Sequence, residues 1–135
     1  MNEFMQEWVV ALRSGEYEQG RGQLAVVNDD GKVAYCCLGV ACELAAQKGL
    51  INRVKGVDMI GYKTDDMEWS ETSGLPPRVT ELMDGKVDGS GHFPGGKEGS
   101  LDGTHARSLI GMNDSDKNSF EEIADKIEQL WGDKV

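Results

Sequence analysis

The sequence predicts a single α+β domain in which a β-hairpin, or a small antiparallel sheet, packs against an N-terminal, a central and a C-terminal helix. Two apolar runs joined by an Asp-Gly turn predict the hairpin within residues 24–35. Apolar residues at helical spacing follow from Cys37 and recur near both ends of the chain. A length of 135 residues suits one domain, residues 1–135, because no linker or internal repeat divides the chain.

The first helix is predicted to begin at the N-cap residue Asn2 and to run to about Arg13, with Gly15 directly after its end. Residues 16–22 would then connect this helix to the hairpin, and their two glycines permit unusual backbone angles. The apolar face of the helix comprises Phe4, Met5, Trp8, Val9 and Leu12. This face is expected to lie on the core.

Residues 24–46 are the most hydrophobic part of the chain, so we expect them to form the centre of the core. Strands are predicted at 24–27 and 33–35. The central helix should begin at Cys37 and stop at Lys48-Gly49. All three cysteines of the chain lie in this stretch.

The second half of the chain carries weaker signals. Residues 51–69 predict one or two short strands, and a short helix is expected between Leu75-Pro76-Pro77 and Gly85. The segment 84–103 contains seven glycines and is predicted to be a loop. Disorder is the default expectation for this loop, and a mobile flap over a ligand site is the alternative.

The last helix has the strongest local signals in the chain. Thr104 should first cap a short helix that reaches Met112, and Ser119 with Glu122 then forms a capping box. The apolar stripe that follows comprises Phe120, Ile123, Ala124, Ile127, Leu130 and Trp131. We expect this stripe and that of the first helix both to cover the hairpin.

The composition limits the classes of partner. A formal net charge of −10 argues against binding through phosphates, so we expect no direct contact with nucleic acid. We expect no membrane partner either, because no apolar run approaches the ~18 residues of a membrane-spanning helix. The acidic start and the odd number of cysteines favour a cytoplasmic protein with free thiols and no secretion signal. Acidic clusters at 58–71 and 114–133 would serve solubility, or would form a face for a basic partner.

The cysteine pair allows two interpretations. Cys36 or Cys37 at a helix start could be a reactive thiolate, and with His92 or His105 it would suit a cysteine hydrolase. We favour two buried structural cysteines, because the pair joins a strand to a helix within the apolar stretch. The cysteines lack the spacing of a zinc site, and the segment 114–125 lacks the glycine of a calcium loop. We therefore expect no catalytic residue, no metal and no cofactor.

Polar and aromatic side chains at several points of the chain form a candidate site for a small anion. Its residues are Arg13, Tyr17, Gln19, Arg21, Tyr35, His92 and Arg107. Arginines and the amides of the glycine-rich loop are groups that can surround a phosphate. For Tyr17 and Gln19 the structural alternative is favoured, in which they tie the connector onto the hairpin.

Three stretches carry a resemblance. They are Trp8 with the pattern ALRSGxYxQ at 11–19, YCCLGV at 35–40, and Asn113-Asp114 with the pattern SFxxIAD at 119–125, where x is any residue. In order and spacing they resemble a family of small, mostly uncharacterised proteins of bacteriophages and prophages, while 51–103 is unmatched. The resemblance implies a phage accessory protein expressed in the host cytoplasm, where small non-enzymatic proteins often block host processes.

We therefore expect a binding protein and not an enzyme. The first hypothesis is a phage anti-defence protein that sequesters a small anionic, nucleotide-type signal of the host. The alternative is an acidic protein that binds and inhibits a host protein, for example as a nucleic-acid mimic. A cysteine hydrolase is the second alternative, and self-association is left open. Converging arginines would favour the first hypothesis, and an extended acidic face would favour the second.

Overall fold

This computed structural model describes residues 1–87, 109–114 and 118–132. Along them three strands lie between the first two helices, two more strands follow, and three further helices come after these. The strands are β1 (Glu18–Gln19), β2 (Ala25–Val27), β3 (Val33–Tyr35), β4 (Asn52–Lys55) and β5 (Met59–Lys63). The helices are α1 (Glu3–Arg13), α2 (Cys37–Gln47), α3 (Pro77–Leu82), α4 (Leu109–Asp114) and α5 (Phe120–Trp131). The predicted α+β domain is confirmed.

The five strands form one sheet in the order β1-β3-β2-β5-β4. The predicted hairpin is β2 and β3, and Gly31 closes its turn at a φ of +84° that favours glycine. The predicted strands in 51–69 are β4 and β5, which pair antiparallel. The sheet is mixed and not purely antiparallel, because β1 pairs in parallel with β3. β1 was predicted to be part of the connector, because two residues are too few to show a strand periodicity.

The helix ends follow their predicted caps. The side chain of Asn2 accepts a hydrogen bond of 2.9 Å from the backbone N–H of Met5 at the start of α1. At α5 both bonds of the capping box form between Ser119 and Glu122. The cap of α2 is the sulfur of Cys36, which accepts from the N–H of Gly39 at 3.4 Å. Local sequence therefore determines where these helices begin.

The helices and the sheet share one core. α1 packs mainly along α5 and against α2, while α2 lies on β3 and β4. Buried residues of α1 and α5, among them Trp8 and Ile127, belong to the same core cluster as Leu24 and Ala25 of the hairpin. The approach of α2 to the chain just before β2 is close, because a Cβ at Gly39 would lie 1.7 Å from the carbonyl oxygen of Leu24.

The predicted short helix after the proline pair is α3, and Gly85 follows it at a φ of +68°. Residues 88–108 lie outside the described residues, and so do most of the glycine-rich loop and the predicted cap Thr104. No helix in the described ranges combines the length and the apolar character that crossing a membrane requires.

Candidate functional site

Arg13, the first residue of the predicted site, is directed to the C-terminal helix. Its Nη2 lies 2.6 Å from Asp125 Oδ1, and its Nη1 donates to Glu128. The hydrogen bond to Glu128, followed by that to Asp125, raises the pKa of Arg13. The guanidinium therefore joins α1 to α5. His92 and Arg107, the last two residues of the predicted site, lie outside the described residues.

Gln19 and Arg21 meet at a single buried residue, Asn113. Gln19 Nε2 donates to Asn113 Oδ1 and to the carbonyl oxygen of Asn118, each at 2.8 Å. Arg21 Nε donates to the carbonyl oxygen of Asn113 at 3.0 Å, and Asn113 Nδ2 donates to that of Gly20 at 2.8 Å. These bonds attach the connector to the end of α4 and the start of α5. The side chain of Gln19 therefore has a structural role, and its backbone lies in β1, which pairs with β3 of the hairpin.

Tyr17 and Tyr35, two further residues of the predicted site, lie in contact with each other. Their ring centroids are 5.5 Å apart with an interplanar angle of 79°, which is an edge-to-face contact. Burial raises the pKa of the Tyr35 phenol, and the negative charge of Glu43 adds to this shift. This tyrosine pair lies where the connector meets the hairpin, and it attaches the connector to the sheet.

A buried carboxylate next to the tyrosine pair was not predicted. Glu43 of α2 is 5% exposed. Its two oxygens accept four hydrogen bonds, two from Arg53, one from Tyr62 and one from Gln47. The distances are 2.7 Å from Arg53 Nε, 3.1 Å from the Tyr62 hydroxyl and 3.3 Å from Gln47 Nε2. Four donors satisfy the carboxylate, so Glu43 joins α2 to β4 and β5 as a structural group.

The same contacts shift the neighbouring groups. The pKa of Tyr62 is raised, first by burial and then by the charge of Glu43. The hydrogen bond to Glu43 raises the pKa of Arg53. The signal for this cluster was Glu43 itself, which is the one charged residue in the apolar sequence of α2. Buried carboxylates almost always have partners.

Gln47 connects this cluster to the surface, because its Nε2 also donates to the Tyr17 hydroxyl at 3.4 Å. Beside these two side chains lies a groove of about 550 Å³. We call it the α1–α2 groove. Its α1 wall comprises Glu3, Gln6, Glu7, Val10, Ala11 and Ser14, and its other wall comprises Glu16, Tyr17, Leu44 and Gln47.

The α1–α2 groove is both acidic and apolar. Three glutamates and no basic residue are among its described lining residues. Glu7 is paired with Lys48 at 2.7 Å. The other two carboxylates of the groove, those of Glu3 and Glu16, are in no ion pair of the described residues. Val10 is 67% exposed, although its neighbours Val9 and Ala11 on α1 are buried in the core. The arrangement can therefore hold a positively charged group that also carries apolar surface.

The three cysteines are buried as thiols. Cys37 Sγ donates to the carbonyl oxygen of Leu109 at 3.3 Å, so the thiol contacts α4. Burial raises the pKa of the Cys42 thiol well above its ordinary value. The predicted burial of the pair is therefore confirmed, while His92 and His105 of the hydrolase hypothesis lie outside the described residues. Within the described ranges no group of three or more histidine, cysteine or acidic residues is placed to hold a metal.

Comparison with known proteins gives a family but no activity. No curated protein and no solved structure matches the chain. One family model, described as Domain of unknown function (DUF8296), matches residues 1–131. Because this match covers nearly the whole chain, the protein belongs to the DUF8296 family.

Proposed function

We propose that the protein acts by binding another protein through positive charge on that partner, and not by catalysis. The observation that carries this proposal is the α1–α2 groove, whose lining includes three carboxylates and the exposed side chain of Val10. Charged residues around an apolar contact are typical of protein-binding surfaces, where charge selects the partner and speeds association.

The arginines support a protein partner over a small anion. Arg13, Arg53 and Arg78 are paired with carboxylates, and Arg21 donates to a backbone carbonyl. A site for a nucleotide needs cationic groups that converge on the phosphates. In the described part of the chain these guanidinium groups are instead spread over separate internal contacts.

The resemblance to phage accessory proteins supplies the proposed setting. A protein of that kind would be present in the cytoplasm of a bacterial host, and its partner would be a host protein whose activity it inhibits. A net charge of −10 suits such a partner if the surface that is bound is basic. Host proteins that bind nucleic acid have surfaces of this kind.

The test begins with the whole chain immobilised and exposed to bacterial lysate at low and at physiological salt. Each retained protein is then purified and titrated against the chain by calorimetry, beside a panel of cyclic and linear nucleotides. We expect a basic protein to bind with a defined stoichiometry and with an affinity that falls as salt is raised. A nucleotide that binds tightly, with no protein retained, would overturn the proposal.

A further inference from the structure

The shape of the α1–α2 groove limits what it can hold. Its α1 residues recur at intervals of three or four between Glu3 and Ser14, so they form one stripe along the helix. At about 1.5 Å per residue this stripe is roughly 16 Å long. A helix of about eleven residues or an extended segment of about five would fill that length.

The chemistry of the groove is arranged along the same line. Val10 belongs to the α1 wall, between Glu3 and the end of the helix, and Leu44 is an apolar residue of the opposite wall. Glu3 lies at one end of the groove and Glu16, beside Tyr17, at the other. No ion pair of the described residues involves Glu3 or Glu16. Two separated negative charges therefore flank an apolar centre, with an aromatic ring at one end.

We propose that this groove binds a basic amphipathic segment of a partner protein, which lies along α1 and rests an apolar side chain on Val10. Lysine or arginine side chains of that segment pair with Glu3 and Glu16, and the cation near Glu16 also contacts the ring of Tyr17. The inference rests on the function proposed above, and it adds the site and the chemistry of the bound segment. Charge argues against the other occupants, since a small anion or a second copy of this acidic chain would bring like charge to the groove.

The probe is a synthetic peptide of about twelve residues, with lysines on one helical face and leucines at every third or fourth position on the other. A peptide of the same composition in scrambled order is its control. Titration into the isotopically labelled whole chain, followed by NMR, locates the contact. We expect the backbone amides of Val10, Leu44 and Gln47 to shift with the amphipathic peptide and not with the scrambled one.

Two matched pairs of variants separate the groove from the overall charge. Glu3→Gln with Glu16→Gln removes two charges from the groove, and Asp29→Asn with Glu68→Gln removes two exposed charges that do not line it. We expect the first pair to weaken peptide binding roughly tenfold and the second less than about twofold.

The second comparison concerns the apolar contact. Val10→Ala should weaken binding, while Val57→Ala, at a residue that is 99% exposed and outside the groove, should not. Thermal unfolding of each variant verifies that it remains folded. Sedimentation of the unaltered chain and of Val10→Ala tests for a second copy in the groove.

Several results would overturn the inference. They are equal weakening by the two charge pairs, amide shifts confined to another face, absence of peptide binding at low salt, or a dimer that Val10→Ala dissociates. The lysate experiment distinguishes the two proposals. If the groove variants still retain the same host proteins, the groove is not the site but the proposed function stands. If the unaltered chain retains no protein, the proposed function itself fails.

Discussion

The indole of Trp8 donates a hydrogen bond of 2.9 Å from Nε1 to the backbone carbonyl oxygen of Cys37. Both residues are fully buried, so this bond forms away from water and joins α1 to the first turn of α2. Because α2 in turn lies on the sheet, this bond helps to fix the position of α1 relative to the rest of the fold.

Replacing Trp8 separates the packing contribution from the hydrogen bond. Trp8→Ala should lower the free energy of unfolding by about 3–5 kcal/mol, because it leaves a large cavity in the core. Trp8→Phe retains much of the ring but loses the donor, so we expect a loss of about 1–3 kcal/mol. Chemical denaturation measures both, with Val57→Ala as an exposed control that should change stability by less than about 0.5 kcal/mol. A neutral Trp8→Ala would show that α1 is not part of the core.

Much of this fold could be predicted because its signals are local. The caps at Asn2 and Ser119 and the turn at Gly31 depend on residues that are neighbours in sequence. β1 could not be predicted, because its two residues become a strand only by pairing with β3. The packing of α1 on α5 was also missed, since amphipathic stripes show which face is buried but not which element covers it.

In the candidate site, too, local features could be predicted from the sequence and long-range contacts could not. Tyr17 and Tyr35 were both assigned to the candidate anion site, and they lie in contact. Arg13 was assigned to an anion site, but its partners Asp125 and Glu128 are more than a hundred residues away in sequence. Whether an arginine is paired with a carboxylate inside the fold depends on such distant contacts. They cannot be predicted from the amino-acid composition. Glu43 could have been noticed from the sequence, because it is a charged residue in an apolar helix. Its hydrogen-bond donors, however, come from α2, β4 and β5, and the residues around Glu43 do not identify them.

The pair formed by Glu43 and Arg53 should contribute more stability than a surface pair. Arg53→Met leaves the buried carboxylate with two donors instead of four, and should cost about 1–3 kcal/mol. This is below the loss expected for a wholly buried pair, because the Arg53 side chain is 46% exposed. Arg78→Met removes an exposed pair within α3 and should cost less than about 0.5 kcal/mol.

Urea denaturation of these variants measures the difference, and Glu43→Gln combined with Arg53→Met completes a double-mutant cycle. We expect the double variant to be more stable than the sum of the two single losses, because it leaves no unpaired buried charge. If Arg53→Met is as harmless as Arg78→Met, the carboxylate is solvated and the cluster is not a structural support.

The phenol of Tyr62 should make stability fall at high pH. Its pKa is raised in the folded chain above the ordinary value of 10.0, so the folded state keeps it neutral where the unfolded state ionises it. The stabilisation is therefore complete below about pH 10 and is lost as pH rises above that value. One such group changes the free energy of unfolding by up to about 1.4 kcal/mol per pH unit.

Free energies of unfolding between neutral pH and pH 11 measure this slope. Tyr62→Phe should lower stability at neutral pH, because Glu43 loses the 3.1 Å bond from the hydroxyl, and should reduce the decline at high pH. Part of the decline should remain, since the pKa of Tyr35 is also raised. An unchanged slope in Tyr62→Phe would assign the alkaline loss to other groups.

Thiol labelling distinguishes a binding protein from a cysteine hydrolase. Cys36, Cys37 and Cys42 are all buried, and a thiol must be reached by the reagent as a thiolate before it reacts. We therefore expect iodoacetamide to leave the folded chain unmodified near neutral pH and to label all three cysteines after denaturation. Mass spectrometry counts the labels in each state.

Cys37→Ser should destabilise the fold, because it places a hydroxyl in the apolar site against α4. Peptide binding by the protein that remains folded should be unchanged. Rapid modification of Cys36 or Cys37 in the folded chain, lost when His92 or His105 is replaced, would instead establish a reactive nucleophile and favour the hydrolase.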